Sequence, residues 1–160
     1  MNEITIEPLT VERFAPFGDV FAPPPEPGRL YANTALASER PGASPSLSLS
    51  TKGEAASVPL TVSRMERHAF SSQSFVPLQP TEMLVVVAPH GVDGRPLMSA
   101  ARAFKTAGRT GLTFGKDVWH HPLTILSAPP ASFAVFMWLD GGPTDEEFVD
   151  VTPTIVKATV

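Results

Sequence analysis

Apolar and polar residues alternate along short segments in most of the chain. Residues 46–51, "SLSLST", alternate with a period of two, which is the pattern of a half-buried strand. Turn signals such as "GVDGRP", "TAGRTG", "APPAS" and "DGGPTD" interrupt the region after Pro59. The strand-like segments there are "LTVSRMERHAF", "QSFVPL", "EMLVVVAP", "ARAFKT", "GLTFGKDVWHHPLTIL", "ASFAVFMWLD" and "EEFVDVTPTIVKA". Many short strands without long helices between them predict an all-β fold, as an antiparallel barrel or sandwich.

Two further segments refine this prediction. The run "MLVVVAP" is apolar on both faces, so we expect a central strand that is covered on both sides. Near the start of the chain, "EITIEPL" predicts a first strand, and "TVERFAPFGDVF" predicts a short helix that Thr10 opens and Pro16 and Gly18 close.

A long stretch rich in Pro, Gly and Ser follows the helix. It reads "APPPEPGRLYANTALASERPGASPS" and predicts an irregular excursion. Leu30, Tyr31 and Leu36 within it favour a loop that packs against the protein over a disordered segment. Its length would allow it to cover the mouth of a barrel, and the sequence leaves open whether it does so.

Composition narrows the class of protein. The 160 residues include 18 prolines and no cysteine, with a formal net charge of -4, and we expect a single domain over residues 1–160. Without cysteine, disulfides and thiolate chemistry are excluded, and a metal would have to bind His, Glu, Asp or Gln. The chain has no basic run of the kind that binds nucleic acid or an anionic membrane. The first ten residues do not resemble a signal peptide, so a cytoplasmic location is expected.

The segment "RMERHAFSSQ" carries the first group of candidate site residues. In a strand, residues two apart share a face, so Arg64, Glu66 and His68 should project together. Gln73 lies beyond the turn that "FSSQ" predicts and can return to the same cavity from the next strand. If this face lines the inside of a barrel, it brings a carboxylate, an imidazole and an amide into one confined space.

The segment "GKDVWHHPL" carries the second group, because it contains two adjacent histidines. On an extended strand His120 faces one side, whereas Trp119 and His121 face the other. We therefore expect only His120 to join a cavity. Glu66, His68, Gln73 and His120 together offer ligands suited to manganese, nickel, iron or zinc. The alternative is a structural role, with hydrogen-bonded histidines in a core and a solvated strand face.

Taken in order, these motifs resemble the ureidoglycolate lyase family. The resemblance rests on "VPLTVSRMERHAFSSQSFVPL", "MLVVVAP", "ARAFKT" and "GKDVWHHPL", with "FAPFGDVF" and "DGG" in support, from about Phe14 to Gly142. It implies a cupin-type antiparallel β-barrel, or jelly roll, usually a homodimer. It also implies cleavage of (S)-ureidoglycolate to glyoxylate and urea, a step of allantoin and purine catabolism.

The resemblance also assigns expected roles to residues. Glu66, His68, Gln73 and His120 take the places of the cupin metal ligands, for nickel or manganese, and a metal-free pocket is the alternative. His120, His68 and Glu66 are the expected catalytic residues. The expected substrate-binding residues are Gln73, Lys116, Arg64 and Asn33.

The sequence departs from the family pattern at Ala35 and Gly115, and these departures concern the substrate more than the fold. Two alternatives therefore stay open beside the lyase. One is an enzyme that acts on a related ureido or hydroxy acid. The other is a non-catalytic cupin that binds a small carboxylate.

Overall fold

The computed structural model describes residues 2–159, which form twelve strands and one short α-helix. The helix α1 spans Val11–Phe14, and a single 3-10 turn covers Met98–Ala100. In chain order the strands are β1 (Asn2–Pro8), β2 (Gly18–Phe21), β3 (Ser44–Lys52), β4 (Leu60–Arg67), β5 (Gln73–Pro77), β6 (Met83–Ala88), β7 (Arg102–Lys105), β8 (Gly111–Phe114), β9 (Trp119–His120), β10 (Thr124–Ile125), β11 (Ala131–Leu139) and β12 (Glu147–Lys157). The predicted all-β fold with a short N-terminal helix is confirmed.

Helix α1 begins where the sequence predicts and ends earlier than expected. The Thr10 side chain accepts a hydrogen bond from the Arg13 amide, which satisfies one of the free amides of the first turn. The helix already ends at Phe14, whose ring is fully buried. None of the helices in the described part of the chain is long and apolar enough to cross a membrane.

Seven strands form a sheet that closes on itself. Its order is β10-β6-β7-β1-β12-β4-β9, and an additional pairing of β6 with β9 completes the ring. Strand β1 runs parallel to both β7 and β12, so the barrel is mixed and not wholly antiparallel. The larger side chains of one apolar cluster come from these strands, and they include Val62, Met65, Leu84, Val86, Trp119 and Val156.

A second sheet has the order β2-β8-β5-β11-β3, with antiparallel pairing throughout. A second apolar cluster joins the two sheets, and it includes Phe75, Val85, Phe104, Leu112, Phe114 and Phe133. Every residue of β6 is buried, because Leu84, Val86 and Ala88 enter the first cluster whereas Met83, Val85 and Val87 enter the second. The prediction that this strand is covered on both sides is therefore confirmed.

The Pro-rich excursion between β2 and β3 is exposed in its first half and anchored in its second. Leu30 is 53% exposed and Tyr31 70%, so the prediction that these two side chains pack is wrong, although Leu36 is half-buried. Further along, the Glu39 amide donates to the Phe70 carbonyl at 2.9 Å, and residues 37 and 38 are bonded to residues 71 and 72. The second half thus lies along the turn that follows β4.

Candidate active site

The end of β4 and the short strand β9 bring a carboxylate and an imidazole together. Glu66 and His120 are directly paired across the two strands, and the Glu66 Oε1 atom lies 3.0 Å from His120 Nε2. Met65 projects into the apolar cluster of the closed barrel, whereas Glu66 lies on the face that Phe148 of β12 shares. His68 follows just beyond the strand, and its Nε2 atom is 4.0 Å from Glu66 Oε1.

Strand β9 separates the residues of the "VWHHP" motif. Trp119 is buried in the cluster inside the closed barrel, and its indole donates a hydrogen bond to the Gly94 carbonyl. His120 is also fully buried but stacks on Phe114, which belongs to the cluster between the sheets, at a ring separation of 4.0 Å. His121 is half-buried, with Nδ1 3.2 Å from the Arg64 carbonyl. Trp119 and His120 therefore occupy different faces, as the alternation predicts.

Backbone carbonyls determine which nitrogen of each buried ring carries a proton. His68 Nδ1 lies 2.8 Å from the Asp145 carbonyl, and His120 Nδ1 lies 2.9 Å from the Val118 carbonyl. A carbonyl oxygen can only accept, so both Nδ1 atoms donate and, in the neutral rings, both Nε2 atoms present a lone pair. These two atoms and a carboxylate oxygen of Glu66 all lie within 4.8 Å of one another.

The surroundings shift the ionisation of this triad. Burial raises the pKa of Glu66, but the hydrogen bond with His120 and the charges of the nearby imidazoles lower it by more, so the pKa lies below its ordinary value. Burial is also the main cause that lowers the pKa of His68, and the neighbouring His120 adds to this effect. The hydrogen bonds and the directions of the pKa shifts together indicate that Glu66 is ionised and that the neighbouring His68 is neutral.

The triad has the features of a cation site. His68 Nε2 and Gln73 Oε1 are buried, and neither has a hydrogen-bond partner among the described residues. A lone pair of His120 facing an ionised carboxylate at 3.0 Å is favourable only when a proton or a metal cation lies between them. Imidazole and carboxylate ligands suit divalent ions such as manganese, nickel and zinc. The residues present therefore fit a divalent metal.

A cavity of about 580 Å³ opens beside His68 and Gln73. Other lining residues come from the end of β11, the loop that follows it and the start of β12, and they include Met137, Leu139, Gly142, Glu146 and Phe148. The volume is sufficient for a small organic acid. Glu66 and His120 do not line the cavity themselves, and His68 is the member of the triad that reaches it.

The three remaining candidates lie further from the triad. Lys116 forms an ion pair with Glu39 on the Pro-rich excursion, and Asn33 is exposed on that excursion. Arg64 is exposed, but its guanidinium lies 4.6 Å from the centre of the Phe148 ring, which lines the cavity. Among these three, Arg64 is therefore the one adjacent to the cavity.

Asp145 is a site residue that the sequence reasoning missed. Its carbonyl accepts a hydrogen bond from His68 Nδ1, and its carboxylate accepts hydrogen bonds from the amides of Asp140 and Gly141. The "DGGPTD" stretch predicts a turn. The hydrogen bond from the His68 ring, 77 residues away, goes to a backbone carbonyl, so the side chains of the stretch do not predict it.

Comparisons with known proteins show the family to which the chain belongs. The family model described as "Ureidoglycolate lyase" matches residues 1–157. The chain is 36% identical to the ureidoglycolate lyase of Pseudomonas fluorescens (strain Pf0-1), with 99% of this chain and 98% of that protein covered. The chain belongs to the ureidoglycolate lyase family. Two other relatives named ureidoglycolate lyase are those of Stutzerimonas stutzeri (strain A1501), at 35% identity, and Pseudomonas syringae pv. syringae (strain B728a), at 34%; each match covers 92% of this chain and 91% of the relative.

This member of the ureidoglycolate lyase family thus combines a cavity large enough for a small organic acid with a buried triad of Glu66, His68 and His120. The neutral nitrogen of His68 and the carboxylate of Glu66 can accept a proton or hold a cation. Gln73 lines the same cavity, and its buried amide oxygen has no hydrogen-bond partner among the described residues.

Proposed function

We propose that the protein cleaves (S)-ureidoglycolate to glyoxylate and urea, as a step in the catabolism of allantoin and purines. Family membership over nearly the whole chain supports this activity. The single structural observation that carries it is the convergence of His68, His120 and Glu66 beside a cavity that His68 and Gln73 line.

The reaction requires modest chemistry. Ureidoglycolate carries a hydroxyl and a ureido nitrogen on the same carbon. When the hydroxyl loses its proton, its electron pair forms the C=O bond of glyoxylate while the C–N bond breaks, and the departing urea nitrogen takes up a proton. The net result is the transfer of one proton from oxygen to nitrogen, so no oxidant or reductant is needed.

The triad supplies groups suited to this proton transfer. The lowered pKa keeps His68 neutral near pH 7, with a lone pair on the nitrogen that is directed away from Asp145. Glu66 is ionised and adjacent to it. His68 lines the cavity and can accept the hydroxyl proton at Nε2 and then return it to the leaving nitrogen. With a metal ion on His68 Nε2, Glu66 would be the proton acceptor. His120 holds Glu66 in place through the contact at 3.0 Å.

We further propose that the site uses a divalent metal, nickel or manganese. Glu66, His68, Gln73 and His120 would hold it, since carboxylate and amide oxygens and imidazole nitrogens are of the type that such ions bind, and His68 Nε2 and Gln73 Oε1 have no other partner among the described residues. When bound, the ion would act as a Lewis acid and lower the pKa of the substrate hydroxyl.

Gln73 and Arg64 bind and orient the substrate in this proposal. Gln73 accepts a hydrogen bond from the ureido group through its buried Oε1 atom, which lacks a partner within residues 2–159. Arg64 faces the substrate carboxylate, and its stacking on Phe148 supports this role. An Arg guanidinium binds carboxylates in bidentate fashion. Lys116 is a weaker candidate because Glu39 already pairs with it.

A direct assay tests the activity. Purified protein is mixed with (S)-ureidoglycolate, with and without added nickel or manganese, and glyoxylate is measured over time. We expect release well above the spontaneous rate, and its loss in His120→Asn. Release at the spontaneous rate under all conditions would defeat the proposal, and retained binding of ureidoglycolate would then favour a non-catalytic carboxylate-binding protein.

We also propose a cytoplasmic homodimer, joined through the outer face of the five-stranded sheet. Leu47 and Leu49 of β3 are 70% and 75% exposed and lie opposite Phe136 and Ala134 of β11. Val76 of β5 extends the patch, since it is paired with Ala134 and is also exposed. Contiguous apolar surface of this kind marks association sites in soluble proteins. A second copy covers it through a two-fold, self-complementary contact.

A further inference from the structure

Arg40 is a buried cation on the Pro-rich excursion, far from the candidate site in sequence. Its side chain is only 14% exposed. The guanidinium contacts two carboxylates of the loop after β11, at 2.9 Å from Asp140 and 2.5 Å from Asp145, and it also donates a hydrogen bond to the Thr144 hydroxyl at 3.2 Å. It also lies 5.4 Å from the centre of the Phe70 ring. One side chain therefore joins the excursion to two other loops.

Asp145 links this cation to the triad. One end of the residue, its carboxylate, binds Arg40 and the amides of Asp140 and Gly141. The other end, its backbone carbonyl, accepts a hydrogen bond from His68 Nδ1, with 2.8 Å between the nitrogen and the oxygen. The orientation of that carbonyl depends on the loop that the carboxylate holds, because both belong to the same residue.

The position of the proton on His68 decides what the ring can do. With Nδ1 bonded to Asp145, the nitrogen that faces Glu66 carries the lone pair. If the carbonyl moved away, the proton could sit on either nitrogen, and the ring with Nε2 protonated could neither bind a cation at that atom nor accept a proton there. Such supporting contacts to a ligand histidine are generally important for metal affinity.

We propose that Arg40 is a positioning residue, which holds the Asp145 carbonyl against His68 and thereby keeps the lone pair of His68 Nε2 directed at the triad. This inference rests on the proposed function of the triad and extends it to a residue on the Pro-rich excursion. Arg40 itself does not contact the substrate. The anchored half of the excursion, from residue 37 to residue 40, is then part of the support of the site.

The test uses Arg40→Met, Arg40→Lys and a matched control, Arg102→Met. Arg102 is a similar cation: it forms two hydrogen bonds to the Glu7 carboxylate, one to the Arg13 carbonyl, and lies over the Phe104 ring. These three partners belong to β1, α1 and β7, so the control should lose stability without any effect on the triad. Met keeps the apolar stem of either side chain and removes its charge.

Two measurements on full-length protein without substrate give the result. Long-range ¹H–¹⁵N NMR reports which nitrogen of His68 carries the proton, and calorimetry with Ni²⁺ or Mn²⁺ alone reports metal affinity. In Arg40→Met we expect a mixture of the two His68 tautomers and a metal affinity lower by about 10- to 100-fold, the usual effect of losing such support. Arg40→Lys should fall between this variant and the wild type, and Arg102→Met should match the wild type.

The proposal would be overturned if Arg40→Met kept the wild-type His68 tautomer and metal affinity while it lost as much stability as Arg102→Met. If Arg40→Met does not fold, Arg40→Lys and Asp145→Asn are measured in the same way, and wild-type values in both would overturn it equally. If the wild type binds neither ion, the ratio of the two His68 tautomers in Arg40→Met and in the wild type alone tests the proposal. Because neither measurement uses ureidoglycolate, a failure of the proposed lyase activity would be visible separately.

Discussion

Replacing Glu66 by Gln separates the role of the triad in chemistry from its role in stability. The substitution keeps the shape of the side chain and removes its charge. The Gln amide can donate to the lone pair of His120 Nε2, since the His120 Nδ1 proton is already held by the Val118 carbonyl. In the wild type this nitrogen meets the carboxylate only through a proton or a cation, whereas in the variant an ordinary hydrogen bond joins the two side chains. We therefore expect the free energy of unfolding at pH 7 to change by no more than about 1 kcal/mol. Glu66→Ala leaves the buried His120 nitrogen unpaired and should cost about 1–3 kcal/mol from that loss alone.

The chemical consequence of Glu66→Gln should be much larger. The triad loses its only carboxylate, so the affinity for Ni²⁺ or Mn²⁺ should fall by at least 10-fold, with a comparable loss of glyoxylate release. Glu146→Gln is the matched control, because Glu146 lines the same cavity but is exposed and lies outside the triad. Thermal unfolding, calorimetry and the glyoxylate assay measure the three quantities. Wild-type metal affinity and turnover in a folded Glu66→Gln protein would refute the reasoning.

Three further predictions follow from contacts away from this carboxylate. His121→Asn should lower the free energy of unfolding by at most about 1 kcal/mol, the value of one hydrogen bond. It should also reduce glyoxylate release far less than His120→Asn. Equal losses of release in the two variants would contradict the inference that only His120 faces the site. Hydrogen bonds from Arg102 lower the pKa of Glu7, so their stabilising effect is present above the ordinary value of about 4.5 and is lost as pH falls through the folded-state value. The difference in Tm between wild type and Glu7→Gln should therefore shrink from pH 7 to pH 3, and a constant difference would count against it. Leu49→Asp should convert the proposed dimer to monomer in light scattering, whereas an unchanged mass would place the interface elsewhere.

The parts of the fold that depend on local alternation could be predicted from the sequence. Strand β6 is apolar at successive positions, and only a strand buried on both faces accommodates that pattern. The separation of Trp119 from His120 follows from the same period of two, because neighbouring side chains of a strand point to opposite faces. For these segments the order of apolar and polar residues was sufficient to predict which side chains are buried together.

The parts that depend on distant partners could not be predicted. The parallel pairing of β1 joins it to β12 at the other end of the chain, and the alternation of β1 itself is the same for either strand direction. Arg64 is exposed and lies next to a register shift in the pairing of β4 with β12, and the local sequence pattern does not predict that shift. The support of His68 comes from a backbone carbonyl, which every residue type possesses.

The position of β6 has a consequence for how the protein unfolds. One strand supplies three side chains to each of the two apolar clusters, so neither cluster can open while the other stays intact. We therefore expect the barrel and the second sheet to unfold in a single cooperative transition, with the β6 amides among the slowest to exchange with solvent. The exposed first half of the Pro-rich excursion contributes to neither cluster, and its amides should exchange long before the scaffold that carries the triad opens.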